Sequence, residues 1–135
     1  MASGDGPRPD PATGRAAGPG ASLQPHERIR RRSDFQLAYN TGQRVSSRHF
    51  TVFIRPNGFA FGRLGIAATR KIGGAVVRNR AKRLIREIFR RNKIAAGHDV
   101  VVIPRREALD ASLTVLEAEY RSTLERRLRQ RRHPA

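Results

Sequence analysis

The chain contains no cysteine, which excludes thiol nucleophiles, disulfides and cysteine-ligated metals together and leaves the redox compartment unspecified. Tryptophan is also absent, and acidic side chains are scarce: 11 Asp and Glu against 28 Lys and Arg. The few carboxylates form no spaced pair of the kind that metal-assisted phosphodiester cleavage needs. His26, His49, His98 and His133 are scattered along the chain, so no catalytic and no metal-binding set of side chains is expected. A phosphate-binding glycine loop of Walker type is missing, "GGAV" before residue 77 being too short to count as one. Apolar runs never exceed a few residues. The opening "MASGDGPRPDPATGRAAGPGA" lacks both a basic and an apolar leader region, so neither export nor membrane spanning is supported and a cytoplasmic protein is expected.

What the chain does have is positive charge. Its 135 residues are one domain's worth of chain, with a formal net charge of +17 and a pI near 11.9. Such an excess points to a polyanionic partner, nucleic acid first. Three of the 28 basic residues are lysines, Lys71, Lys82 and Lys93, leaving 25 arginines. The guanidinium fork suits bidentate phosphate contacts and stacking on bases, although a GC-rich genome also inflates arginine. Residues 1–25 are mostly Gly, Pro and Ala, with Arg8 and Arg15 cancelled by Asp5 and Asp10. They are expected to be a disordered tail, so the charge excess falls on a single domain over 26–132.

Along that domain, Ser33 with Gln36 has the spacing of a capping box and Gly42 is placed to end a helix, giving one over about 33–41. "HFTVFIRP" alternates as a strand, with Phe50, Val52 and Ile54 on one side and Thr51 and Phe53 on the other, ended by Pro56. Asn57-Gly58 is a two-residue turn signal, and "FAFGRLGIAAT" is a plausible return strand. The pair reads as a β-hairpin in which Gly62 and Gly65 allow a bulge or a close approach. A helix over about 75–92, stopped near Gly97, precedes the buried strand "DVVVIP", closed by Pro104. Leu113, Leu116, Tyr120, Leu124 and Leu128 then mark an amphipathic helix over about 111–130 that packs on the sheet. A further short strand is expected near Arg44 to Ser46. The order α-β-β(-β)-α-β-α predicts an α/β (α+β) two-layer sandwich with a small mixed sheet, not a doubly wound nucleotide fold.

The segment "GGAVVRNRAKRLIREIFRRNK" concentrates the charge. At 100° per residue Val77, Ala81, Leu84, Ile85 and Ile88 share one face, and Asn79, Lys82, Arg83, Arg86 and Arg90 the opposite one. Lys82 with Arg86, and Arg86 with Arg90, are like-charged i,i+4 pairs, each costing roughly 0.2–0.5 kcal/mol. Only Glu87 offers local relief. A solvated helix face usually mixes signs, so this stripe is better explained by phosphates that supply the missing anions. Composition leaves DNA, RNA and anionic lipid all open.

The order of residues narrows the choice. "RLGIAATRKIGGAVVRNRAKRLIREIFR", residues 63–90, resembles the signature of the protein subunit of bacterial ribonuclease P, whose hallmark is Arg-Asn-Arg within "AVxRNRxKRxxRE". The likeness extends to "RIRRRSDFQLAYNTGQRVSSRHFTVF" at 28–53. It leaves out the N-terminal extension and the last ~25 residues, which diverge.

The resemblance implies a small basic protein that binds a large catalytic RNA and helps it remove the 5′ leader of precursor tRNA. The RNA would perform the chemistry with Mg2+ that it mainly holds itself, and no organic cofactor or membrane would be involved. It also implies a left-handed β-α-β crossover, against the usual right-handed preference. The family's RNA-facing helix maps onto Arg78, Asn79, Arg80 and Arg83, helped by Arg70 and Lys71. Its leader cleft maps onto Phe35, Tyr39 and Phe53, with Lys82 and Arg86 at the wall. Tyr39 stands where many relatives carry Phe, and Thr69-Arg70 replaces the commoner Ser-Lys. Each position also has a plain structural reading: Asn79 as a helix-start residue, Phe35 and Tyr39 as an i,i+4 packing pair, and Phe53 as a strand residue. Rival readings of the whole chain are a general or ribosomal RNA-binding protein of similar topology, a DNA-binding module and a membrane-surface basic helix. The last is weak, because the core needs the apolar face and interfacial Trp is lacking.

Overall fold

The structure, a computed structural model, describes residues 23–132. The expected disorder of the first 22 residues lies outside these, while Leu23, read from composition as part of the tail, is a buried core residue. In chain order the elements are α1 (Arg32–Thr41), β1 (Gln43–Ser46), β2 (Phe50–Pro56), β3 (Arg63–Ile66), α2 (Ala75–Arg91), β4 (His98–Pro104) and α3 (Leu113–Arg132). The strands form one mixed sheet in the order β1-β2-β4-β3. β2 is antiparallel to β1 and β4, and β3 is parallel to β4. This is the α+β sandwich expected from the element order, including the short strand near Arg44.

The alternation in β2 sorts its side chains as expected. Phe50, Val52 and Ile54 join Val100 and Val102 of β4 against Ile85, Ile88 and Phe89 of α2 and Leu116, Tyr120 and Leu124 of α3. Burying a large apolar side chain of this kind is worth about 1.5–3 kcal/mol. On the other face, Val101 and Phe53 meet Ala38, Phe35 and Tyr39 of α1 and Ile29 just before it. β4 is therefore covered on both sides, which is why it reads as an unbroken apolar run. Ser112 Oγ accepts a hydrogen bond from the Val115 amide at 3.2 Å and so opens α3.

Three expectations are corrected, and one alternative is settled. The β-hairpin does not form: Asn57-Gly58 does turn, with Gly58 at φ 77°, but β4 lies between β2 and β3. β2 finds a seven-residue partner in β4, from Phe50↔Pro104 to Pro56↔His98, whereas β3 has only four residues to offer. The loop 57–62 is also long enough to step across the intervening strand. Gly62 and Gly65 mark close approaches, not a bulge: a Cβ on Gly62 would sit 2.5 Å from the Ala95 oxygen, and one on Gly65 2.8 Å from the Phe35 ring. Ser33 does not cap α1, which starts one residue earlier behind Arg31 and has no side-chain cap. α2 stops at Arg91, not near Gly97, because Asn92 Nδ2 donates to the Ile88 oxygen at 2.8 Å.

Candidate RNA interface

A tight turn sets the start of α2. Ile72 is buried within the 3-10 turn Arg70–Ile72 and leaves Arg70 and Lys71 exposed. Gly73 follows at φ 148°, a value that side-chain-bearing residues rarely adopt. Gly74 is the N-cap residue, with no side chain to close the cap. Arg78 is half-buried and turns back, its Nη1 donating to the Gly73 oxygen at 3.1 Å. Asn79, Arg80 and Arg83 are exposed on the next turns. Asn79 thus lies past the helix start, and the contact that holds the neighbouring backbone is made by Arg78. Arg90, expected on the outward face, is instead 7% exposed, with Nη2 2.7 Å from Glu87 Oε2. Glu87 is the local relief that the sequence suggested, and its carboxyl is held below the usual range, first by the hydrogen bond from Arg90.

Two of the wall cations and one of the cleft aromatics come together. Lys82, Arg86 and Phe35 line a cavity of about 210 Å³ with Arg28, Arg30 and an apolar floor that includes Ile29 and Leu64. Arg28 is brought there by the chain preceding α1, which bridges to Leu64 and hydrogen-bonds through Ile29 N to the Leu64 oxygen at 2.9 Å. Because Gly65 has no side chain, the Phe35 ring lies directly against β3. The cations crowd one another. Burial, and after it the charges of Arg28 and Arg83, pull the Arg86 guanidinium below its ordinary pKa. A site with four cations and no carboxylate in its lining is arranged to take an anion.

Tyr39 and Phe53 do not line that cavity. They continue from it as a row: Phe35 to Tyr39 at 6.4 Å between centroids, then Tyr39 edge-on to Phe53 at 5.1 Å. All three rings are half-buried, packing on the sheet with one side and meeting solvent with the rest. Burial raises the Tyr39 phenol, which stays protonated. Core packing and base stacking are therefore compatible roles for this row.

Two features were missed in the sequence. Arg28 and Arg30 belong to the basic run "RIRRR", in which no local pattern marks them off from Arg31 and Arg32. The other is the anchor of α1. Asp99, fully buried at the head of β4, accepts from Arg63 Nε at 2.8 Å, Arg63 Nη2 at 2.7 Å and Asn57 Nδ2 at 3.0 Å. Arg63 also reaches Asp34 of α1 at 3.5 Å. Burial tends to raise the Asp99 pKa, but the hydrogen bonds from Arg63 and Asn57 and the charges of Arg63 and Arg55 outweigh it and leave the net shift downward. A lone acidic residue opening an apolar run in so basic a chain was the available signal.

Asp99, Glu87 and Glu119 are already committed to Arg63, Arg90 and His49. Among the described residues no three His, Asp or Glu converge. No helix among them is long and apolar enough to cross a membrane.

A small mixed α+β fold with a cationic helix face, a cavity whose charged lining is wholly basic and a row of half-buried rings beside it defines a nucleic-acid-binding protein. A family model described as ribonuclease P matches residues 23–128, and the chain belongs to that family. It is 48% identical over 88 residues to the ribonuclease P protein component of Thermotoga maritima, covering 64% of this chain and 75% of the relative. With that of Syntrophus aciditrophicus it shares 46% over 86 residues, covering 62% and 72%. The solved structure of the Thermotoga maritima RNase P protein superposes with a TM-score of 0.68 at 42% identity, over 74% of this chain and 96% of that one. For the Staphylococcus aureus RNase P protein the values are 0.65 and 36%, over 73% and 93%.

Proposed function

We propose that this chain is the RNA-binding subunit of a ribonuclease P ribonucleoprotein and assists a catalytic RNA in the endonucleolytic removal of the 5′ leader from precursor tRNA. The observation that carries the reading is the separation of two cationic surfaces on α2. One, with Arg80 and Arg83, is open; the other, with Lys82 and Arg86, walls the cavity beside Phe35. A protein that must hold a folded RNA and an unpaired strand at once needs two such surfaces. Arg70, Lys71, Arg78, Asn79, Arg80 and Arg83 contact phosphates and sugars of the RNA subunit. Phe35, Tyr39 and Phe53 stack on leader bases whatever their sequence, while Lys82 and Arg86 track the leader phosphates. The chemistry rests with the RNA and with Mg2+ held mainly by it; among the described residues Asp34, Glu87, Asp99 and Glu119 are held in ion pairs. The particle acts in the cytoplasm.

The test is cleavage of a precursor tRNA by a bacterial ribonuclease P RNA at low magnesium, with and without this protein. Restored site-specific cleavage is the expected result. Binding to the RNA with no change in cleavage would reduce the protein to a general RNA binder.

A further inference from the structure

A second aromatic group lies beyond the cavity, on the far side of the segment 23–29 that packs against both α2 and β3. Phe59 and Phe61 are parallel to within 4°, with centroids 5.0 Å apart, and the His26 ring stands edge-on to Phe61 at 4.8 Å. The Arg63 guanidinium carbon lies 5.2 Å from the centre of the Phe59 ring. Phe59 is 46% exposed, the one aromatic among the large apolar residues open to solvent in the described residues. An exposed ring costs solubility and contributes little to the core. Here it stands in a loop, on a protein of net charge +17.

Beside Phe61 is a concavity of about 220 Å³ that Phe89 and Lys93 line as well. Its one acid, Glu27, is paired with Lys93. Lys82, Arg86 and Phe89 follow at four- and three-residue steps on α2, with Lys93 just past its end. The two concavities therefore share one line along the helix, about 10 Å from Lys82 to Phe89 at 1.5 Å per residue. On the strand side Ile66 and Leu64 border the first, and Gly62 and Phe61 the second. Lys82 and Arg86 beside Phe35, followed toward the end of α2 by the exposed Phe59, give the succession of cations and rings that single-stranded nucleic acid recognises.

We infer that Phe59 and Phe61 form a second stacking station for single-stranded RNA, engaged by leader nucleotides that run past the Phe35 cavity toward the C-terminal end of α2. The inference rests on the reading of that cavity as a leader site. It gives the protein a dependence on leader length that one cavity would not produce.

The experiment uses the reconstituted holoenzyme and precursor tRNAs whose leaders are lengthened one nucleotide at a time. With the native protein, affinity should rise once as the cavity fills and again as the leader reaches Phe59. Phe59→Ala should abolish the second rise, a loss of about fivefold or more, while mature tRNA, short leaders and assembly with the RNA subunit stay unchanged. Phe59→Trp should retain it. The absence of a second rise in the native protein, no effect of Phe59→Ala at any length, or an equal loss for mature tRNA would each overturn the station. Phe35→Ala tests the cavity separately. If it leaves the first rise intact the leader reading fails, whatever Phe59 does.

Discussion

At the scale of single residues, the side chain that most constrains the site touches no RNA. Asp99 holds Arg63, and Arg63 reaches Asp34 on α1, so the placement of Phe35 and Tyr39 depends on a buried carboxylate. Asp99→Asn should cost about 3 kcal/mol in urea unfolding, because it takes from Arg63 the nearer of its two carboxylate partners in a largely buried place. The folded-state pKa of Asp99 lies below its unfolded value. Its contribution is therefore complete above the ordinary carboxylate range and is lost as pH falls through that range toward the lowered value. Native protein should lose stability over that window more steeply than Asp99→Asn, as measured by urea midpoints at successive pH values. Phe35→Ala should weaken holoenzyme binding of precursor tRNA by roughly 1–3 kcal/mol and leave mature tRNA nearly unaffected, which filter-binding titrations would resolve; equal losses would remove the ring from the leader site. The sequence showed the cleft residues only through the order in which they occur. By composition and spacing Phe35 and Tyr39 are ordinary packing residues, and they do pack. Arg63 and Asp99 were invisible as a pair, since an ion pair across 36 positions has no local signature.

At the scale of elements, periodicity did well wherever one element has one buried side. The α2 wheel placed Ala81, Ile85 and Ile88 in the core, with Phe89 as an unforeseen fourth, and α3 buries Leu116, Tyr120 and Leu124 as its spacing required. Capping was read less well, because a Ser three positions before a Gln fits the capping box whether or not the helix has already started at Arg32. α2 carries its open cations and its cavity-lining cations at different angles, and the open face is testable by itself. Arg80→Ala should leave thermal unfolding within about 0.5 kcal/mol of native. It should also weaken assembly with the RNA subunit and reduce the salt slope of that assembly by about 1. Normal assembly with an unchanged slope would take Arg80 off the interface.

At the scale of the whole molecule, charge acts with opposite sign in the two states. Free protein repels itself, and the effect is screened within about 10 Å at 0.1 M salt. Its melting temperature should accordingly rise by a few degrees with added salt, while its affinity for RNA falls along a straight line in log–log coordinates. Parallel trends in calorimetry and binding would contradict this account. Sheet order is where local reading failed most. A turn signal between two strands predicts neighbours, and nothing near residue 58 records that a strand starting at residue 98 will come between them.

That insertion also sets an order of events during synthesis. β3 is complete at Ile66, yet its ladder partner begins only at His98. As the chain leaves the ribosome, β2 has only β1 to pair with, β3 has no strand beside it, and the most basic helix of the protein emerges before the strand that will seat it. Closing the sheet must wait for Pro104 and for contacts distant in sequence, the kind that slow folding. Until then the nascent chain presents unpaired strand edges beside a cationic helix, so a polyanion that meets it at that stage meets a surface not yet shaped to choose among RNAs.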